Sequence, residues 1–437
     1  MRRTTPAVRA IGVNRRWLRN IRLWLVVGAV IVGLVAFWAF RAFQAGPLLF
    51  PPADATTSQR MAASETDWPS IRRNIGGTGW APDARISAPF SVRWERDTPG
   101  VMLAPPAVVG DRLYITTEDG IVAALDAGTG ETVWSYEIGS PSDSAPAVSE
   151  SAIYVGARNH RLLAVDRESG QLRWERNLGN IVLGSAIVVD GTVYIGSTNS
   201  RLEALDAATG EPRWSARIKG WVVGHPASDG SVVAAASLGE RFITVDPDTG
   251  RRRLVFYSGT PVVGGPIIAD GRAYFVTNRG GVWAVDPSAV SRPFSRFAYV
   301  AKFNFFYWRL LKDPPQQTGT LWVGSARGRV KYSPVYADGK LLLVNENGLA
   351  RALDGETGAE LWERDLGAEV SAEPVVAGDV LLIATATRRL VALDVASGEL
   401  AWEYGLDGGG LSAAPVVSGA TMYLPMADGR LVALGGE

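Results

Sequence analysis

Short apolar runs recur along this chain at a spacing of about 40 residues. Each repeat contains four runs that are rich in β-branched or aromatic residues and are bounded by Gly, Asp, Asn or Pro. In the second repeat these runs are 145–148, 152–156, 161–166 and 172–174. Four short strands in a repeat of about 40 residues are typical of one blade of a β-propeller. We label the strands a, b, c and d in chain order.

The fourth strand of the repeats carries a ladder of tryptophans. Its members are Trp94, Trp134, Trp174, Trp214, Trp322, Trp362 and Trp402. The spacing is constant from Trp94 to Trp214 and resumes unchanged from Trp322 to Trp402. Leu254 stands where a tryptophan is due after Trp214, and the step from Leu254 to Trp322 is much longer than one period. The fifth repeat therefore contains an insertion, at 289–317, between its strands c and d.

A turn of the form Asp-x-x-x-Gly precedes strand d in six repeats. Its terminal residues are Asp126/Gly130, Asp166/Gly170, Asp206/Gly210, Asp246/Gly250, Asp354/Gly358 and Asp394/Gly398. An aspartate side chain can accept backbone N–H bonds from its own turn, and glycine can take the positive φ that such turns require.

The two ends of the repeat region are complementary. Strands a, b and c at 414–417, 422–424 and 431–434 have no strand d after them, whereas 90–96 is a strand d with no strand a, b or c before it. We expect the N-terminal strand to complete the last blade, because this closure removes the exposed sheet edges. The sequence thus predicts an all-β, eight-bladed propeller of four-stranded antiparallel blades over residues 90–437.

The repeats resemble the pyrroloquinoline-quinone-like (PQQ-like) β-propeller family, which includes outer-membrane barrel-assembly factors of the BamB type. The resemblance rests on Leu-Asp-Ala-x-Thr-Gly-Glu-x-x-Trp runs at 125–134 and 205–214 and on their variant at 353–362. Asp67-Trp68-Pro69, Arg73-Asn74 and Thr78-Gly79 are similar to the segment that often precedes the first blade. The resemblance implies that the ladder tryptophans are structural and dock between blades. It leaves function open, since the family contains dehydrogenases, assembly scaffolds and sensory ectodomains.

Residues 1–43 have the character of a membrane anchor. Residues 1–22 contain seven arginines and no acidic residue. An uncharged run from Leu23 to Phe40 follows, within the predicted transmembrane segment 23–43. The basic segment should stay in the cytoplasm, which places the propeller in the periplasm or outside the cell. A cleaved signal peptide is the alternative. Residues 44–89 are expected to form a linker and a pre-propeller segment.

Composition argues against several kinds of chemistry. The chain has no cysteine and two histidines, His160 and His225, which fall in different parts of the repeat. The family resemblance implies that a quinone would lie over a central tryptophan beside Ca²⁺ held by acidic and amide groups, and no acidic cluster suggests such a Ca²⁺ site. Basic and acidic residues balance at 44 each, so no global charge selects nucleic acid. We predict no catalytic residue, no cofactor and no metal site.

The insertion in the fifth repeat is the candidate functional element. It is aromatic and basic, and its candidate contact residues are Phe303, Phe305, Phe306, Tyr307, Trp308, Arg309 and Lys312. Phe303, Phe306, Tyr307, Leu310 and Leu311 have helical spacing, and Pro314-Pro315 should end the helix. Either this stripe packs on the rim of the propeller, or the helix contacts lipid headgroups or a partner protein.

These features favour a membrane-anchored, non-catalytic scaffold for protein–protein interaction in the cell envelope, with an envelope or membrane protein as partner. The alternative is an extracytoplasmic domain that binds or senses a small ligand or polysaccharide. A PQQ-dependent dehydrogenase is the third hypothesis.

Overall fold

Each repeat folds as a four-stranded antiparallel sheet, and the inner strands of neighbouring sheets contact one another around a closed ring of eight blades. We analysed a computed structural model, which describes residues 66–436. The predicted basic segment 1–22 and membrane span 23–43 lie outside these residues. Between residues 66 and 436 no helix is both long and apolar enough to cross a bilayer.

The strands occupy equivalent positions in every blade, from a at the channel to d at the outer edge. Strands a are Ala107–Val109, Ala147–Val148, Ile187–Val189, Ala227–Ser228, Ile267–Ala269, Val335–Ala337, Val375–Ala377 and Val416–Ser418. Strands b are Arg112–Thr116, Ala152–Gly156, Thr192–Ser197, Val233–Ser237, Arg272–Val276, Lys340–Val344, Val380–Thr385 and Thr421–Pro425.

Strands c and d form the outer half of each blade. Strands c are Ile121–Asp126, Arg161–Asp166, Arg201–Asp206, Arg241–Val245, Gly281–Val285, Leu349–Asp354, Arg389–Asp394 and Arg430–Gly436. Strands d of blades 1 to 7 are Thr132–Glu137, Leu172–Asn177, Pro212–Arg217, Arg252–Tyr257, Thr320–Ser325, Glu360–Asp365 and Leu400–Gly405. Strands a to c are largely buried, and strand d alternates between exposed and partly buried positions.

The ring is closed by the first strand of the propeller. Phe90–Asp97 pairs antiparallel with Arg430–Gly436, so that Phe90 lies opposite Gly436 and Asp97 opposite Arg430. This strand is the missing strand d of blade 8, which confirms the predicted eight-bladed closure. Because the two ends of the repeat region share one sheet, the outer side of strand c in the last blade is paired.

The ladder tryptophans join each blade to the next. Six indole N–H groups donate to a backbone carbonyl in the c–d turn of the following blade, at 2.7–3.1 Å: Trp94 to Ala127, Trp134 to Arg167, Trp174 to Ala207, Trp214 to Pro247, Trp322 to Gly355 and Trp362 to Val395. The glycine of that turn lies against the ring. A Cβ on any of the six glycines would stand 2.6 Å from the indole, so the turn needs glycine for space as well as for its positive φ.

Two ladder positions, Trp402 and Leu254, do not face a c–d turn with its glycine in the following blade. Trp402 faces blade 8, whose c–d connection is the chain junction; there the Phe90 ring meets it edge-on at 4.7 Å. The Trp402 indole nitrogen is buried and has no hydrogen-bond partner in the described part of the chain. Leu254 faces blade 5, whose turn is replaced by the insertion, and it is fully buried. The missing tryptophan and the missing turn thus occur at one interface.

The insertion contains one helix, α1, Ser295–Tyr307. No residue of α1 is buried. The prediction that the helix continues to the prolines is wrong, because Arg309 adopts a left-handed conformation with φ 59°. The N–H groups of Arg309 and Leu310 then bond back to Phe306 and Phe305, at 2.9 and 2.8 Å, which is a Schellman ending. Leu310 and Leu311 consequently lie beyond the helix.

The indole hydrogen bond can be measured against a matched control. We expect Trp362→Phe to lower the free energy of unfolding by about 1 kcal/mol more than Trp402→Phe, because only the first leaves a carbonyl, that of Val395, without its donor. Both changes remove similar ring area, and chemical denaturation of the two variants gives the difference. Equal losses would show that the hydrogen bond adds nothing beyond ring packing.

Candidate functional site

The segment before the first blade lies inside the propeller channel, at the mouth formed by the a–b turns. We call residues 67–86 the plug. Inner-strand N–H groups donate to plug carbonyls in six blades, at 2.7–2.9 Å: Val108 to Trp68, Val148 to Pro69, Ser228 to Ile75, Ile268 to Gly76, Tyr336 to Thr78 and Val376 to Gly79. Trp80–Ala81 adds a short parallel strand to blade 7. The plug therefore satisfies backbone donors that the innermost strands would otherwise expose in the channel.

Arg72 fixes the plug from within. Its side chain is fully buried, and its two Nη atoms donate to the carbonyls of Pro374 and Pro334 at 2.9 and 2.6 Å. Glu373 lies 3.5 Å from the guanidinium and also accepts the N–H of Ser333 at 3.1 Å. Burial lowers the pKa of Arg72 and Glu373 opposes this effect, yet a guanidinium remains charged at any ordinary pH. Glu373 is thus the counterion of a buried cation.

His225 is the second buried ionisable group next to the plug. Its ring lies between two glycines, since a Cβ on Gly77 would be 2.7 Å and one on Gly265 2.2 Å from ring atoms. Nδ1 is 3.0 Å from the carbonyl of Pro226, which assigns the proton of the neutral ring to Nδ1. Nε2 is buried and has no partner in the described part of the chain. Burial lowers the pKa of His225, with Glu373 acting in the opposite direction, so the ring is neutral near pH 7.

A cavity of about 880 Å³ lies between the plug and the inner strands of blades 2 to 6. Its wall includes apolar side chains such as Ile75 and Ile187 and polar groups of Asn74, Asp229 and Asp270. Sequence reasoning missed this cavity and the plug, although the glycines at 76, 77 and 79 signal a close backbone approach.

The channel does not fit a quinone cofactor with Ca²⁺. Arg72 is fully buried, and the ladder indoles are held at blade interfaces. Among residues 66–436 no three His, Cys, Asp or Glu side chains are grouped as metal ligands. This part of the chain therefore lacks the group of acidic ligands that Ca²⁺ prefers.

The predicted contact residues of the insertion are solvent-exposed. Phe303 and Phe305 are 47% and 45% exposed, and Tyr307 and Trp308 are 76% and 63% exposed. Arg309 and Lys312 are also exposed, whereas Phe306 is half-buried. The two stems of the insertion are fixed on the outer strand of blade 4. The Ser291 N–H donates to the carbonyl of Arg253, and the Ser291 hydroxyl accepts from the N–H of Val255. The Gln317 side chain exchanges hydrogen bonds with the backbone of Tyr257.

The opposite mouth carries the polar b–c loops. Arg158 forms a two-pronged pair with Asp143 at 2.6 Å, Arg161 pairs with Glu175 at 2.5 Å, and Arg389 pairs with Glu403 at 2.9 Å. Each arginine therefore has an acidic partner within its own blade. Surface pairs of this kind contribute little to stability.

Fold and repeat together define a propeller of the PQQ-like repeat class. The sequence model of a family described as "Outer membrane protein assembly factor BamB" matches residues 89–181, 177–292, 223–318 and 346–437. The chain belongs to this family. A curated BamB from Moranella endobia (strain PCIT) is 27% identical over 107 residues, which cover 21% of this chain and 28% of that relative. The matched part is thus about a quarter of the relative's length.

Solved structures show the same fold. BamB from Moraxella catarrhalis aligns with a TM-score of 0.64 at 18% identity, over 80% of this chain and 98% of that chain. The quinohemoprotein alcohol dehydrogenase from Comamonas testosteroni aligns with a TM-score of 0.66 at 18% identity, over 91% of this chain and 84% of that chain. At this identity the likeness establishes the fold alone, which an assembly factor and a dehydrogenase share.

The buried Arg72–Glu373 pair predicts a strong dependence of stability on its acidic member. We expect Glu373→Gln to lower the free energy of unfolding by about 3–5 kcal/mol, because Arg72 then keeps a buried charge without a counterion. Arg72→Met combined with Glu373→Gln should recover part of this loss. Asp83→Asn is the control, since Asp83 lies 3.9 Å from Arg73 near the surface. Additive effects of the two changes would contradict the pairing.

Because His225 is buried in its neutral form, we expect the stability of the folded state to fall in acid. Its pKa is lowered in the folded chain from 6.5, so below that pH the unfolded chain binds more protons and the folded state loses stability as pH falls. We expect His225→Gln to flatten the stability profile below pH 6.5, measured by denaturation at several pH values. The same change at the exposed His160 is the control. An unchanged slope in His225→Gln would show that other groups cause the acid sensitivity.

Proposed function

We propose that this protein is a non-catalytic scaffold of the cell envelope, anchored in the cytoplasmic membrane by residues 23–43 and facing the periplasm or exterior. The observation that carries the proposal is the exposed aromatic surface of the insertion. Soluble monomers rarely leave a contiguous group of large apolar side chains in water, and such groups mark contacts with proteins or membranes. Its family includes proteins described as assembly factors, which is consistent with binding rather than catalysis.

The channel supports the same proposal. At one mouth of the channel the plug bonds to the inner strands of six blades, and the buried Arg72 anchors it there. The surfaces that remain open to other molecules are the cavity beside the plug, the loop faces, the outer rim and the insertion. We expect these surfaces to bind other molecules rather than to catalyse a reaction.

We infer that the stems of the insertion lie on the face from which the membrane anchor would arrive. Strand c of blade 5 ends at Val285 and strand d begins at Thr320, while the closing strand d begins at Phe90. In antiparallel blades the c–d connections share one face, and the a–b turns that bind the plug share it too. We infer that this face is directed towards the membrane and that α1 contacts lipid headgroups or a membrane-embedded partner.

Photo-cross-linking in membranes of the native host tests the proposal. A photoreactive residue at Tyr307 or Trp308 of the full chain should give discrete adducts with one or a few envelope proteins or with lipid. The same residue at Glu131, which is exposed in a c–d turn outside the insertion, is the control. Adducts that are equal at both sites, or absent at the insertion, would contradict the proposed role of the insertion.

A second measurement separates lipid from protein. Phe306→Asp combined with Trp308→Asp in residues 60–437 should weaken binding to vesicles of anionic lipid if lipid is the contact, because the aromatic side chains supply the buried apolar area. Loss of the protein adduct with unchanged vesicle binding would identify a protein partner instead. If neither vesicle nor partner binding changes, the insertion has only a packing role.

A further inference from the structure

We propose that the cavity between the plug and blades 2 to 6 binds a neutral saccharide. This site is distinct from the insertion and goes beyond the scaffold function proposed above. Two separate parts of the chain build it, since the plug supplies one wall and the inner strands and a–b turns of five blades supply the other. Its volume of about 880 Å³ lies within the usual range of small-molecule pockets.

The plug leaves one inner strand of this cavity uncapped. Between Pro69 and Ile75 the plug turns inward to insert Arg72, and in doing so it passes over blade 3 without bonding to it. Val188 is the blade 3 residue equivalent to Val148 and Ser228, whose N–H groups bond to the plug. In the part of the chain that the structure describes, the Val188 N–H has no hydrogen-bond acceptor. Val188 lines the cavity, so the cavity wall contains an unused backbone donor.

Acceptors with spare capacity line the same cavity. One oxygen of Asp229 accepts three bonds from its own turn, and the other has no donor among residues 66–436. One oxygen of Asp270 accepts the Tyr336 hydroxyl at 2.5 Å, and its second oxygen is likewise unused within the described chain. Burial raises the pKa of Tyr336, which keeps this hydroxyl a donor. The cavity wall thus contains both carboxylate acceptors and a backbone donor.

This combination selects the chemical class of the ligand. An ammonium group only donates, so it would satisfy the carboxylates and leave the Val188 N–H unpaired. A carboxylate or phosphate only accepts, and the lining holds four aspartates, at 67, 229, 270 and 338, against one arginine, Arg73, so the lining opposes the charge of an anion. A hydroxyl group both donates and accepts. Several adjacent hydroxyl groups on a neutral ring therefore match the donor and acceptors together.

The remaining wall suits the apolar face of a sugar ring. Trp80 and Tyr336 line the cavity together with Ile75 and Ile187. The Trp80 indole nitrogen donates to the carbonyl of Gly378 at 3.0 Å, which fixes the orientation of the ring. A rigid aromatic wall opposite hydrogen-bonding groups lets a ligand bury its C–H surface while its hydroxyl groups remain paired.

Calorimetric titration of the full chain in detergent tests the proposal, with glucose, N-acetylglucosamine and their disaccharides as probes. We expect saturable binding of at least one of them. Asp229→Asn should weaken it roughly tenfold or more, because a hydrogen bond to a charged acceptor is lost. The asparagine can keep the turn through its own Oδ1. Asp229→Asn combined with Asp270→Asn should weaken it further.

Asp190→Asn is the matched control. Asp190 lies in the equivalent a–b turn of blade 3 and is exposed, but it does not line the cavity. An equal loss with Asp190→Asn would overturn the assignment of the site. So would the absence of saturation by all the neutral sugars, or binding of spermidine or glucuronate in their place. None of these outcomes affects the cross-linking result at the insertion, so the two proposals succeed or fail separately.

Discussion

The structure depends on one contact that is repeated around the ring, in which an indole lies on the turn glycine of the next blade. A propeller blade is marginal alone, since its sheet faces must be covered by neighbours. The indole covers this interface, and its N–H satisfies a carbonyl of the facing turn. Because a Cβ would stand 2.6 Å from the ring, tryptophan and glycine are required together. This explains why the ladder tryptophan and the Asp-x-x-x-Gly turn, which pack together from neighbouring repeats, recur with the same period.

The two exceptions show how the ring accommodates a missing member of the pair. At the chain junction no turn exists, and the Phe90 ring occupies the face of Trp402 instead. At the insertion the turn is again absent; there Leu254 takes the ladder position, and Phe256, Phe275 and Trp283 pack close by. A tryptophan at 254 would lack the carbonyl and the flat glycine surface that the others use. The contact between neighbouring blades therefore differs from the tryptophan–glycine pair only where the c–d turn of the following blade is also missing.

These local rules explain which features the sequence predicts. Blade number, strand order and ring closure follow from periodic signals, and the structure agrees with all three. The end of α1 could not be predicted in this way. The apolar spacing continues past the end of the helix, which is set by the left-handed conformation of Arg309. The position of the plug is even harder to predict from the sequence. Arg72 reaches carbonyls 262 and 302 residues away, and a backbone carbonyl can belong to any residue type. No periodic pattern records such a contact.

Specialised functions should therefore arise where the repeat is interrupted. In a regular blade, strands a to c are buried and strand d carries the interface, so few side chains remain free for recognition. The insertion breaks the repeat at the outer edge and presents aromatic side chains that no core requires. The plug breaks the eightfold pattern at the channel, since its inward turn at Arg72 caps the blades on both sides and leaves blade 3 open. A single buried arginine thus anchors the plug at the place where the plug leaves blade 3 unbonded.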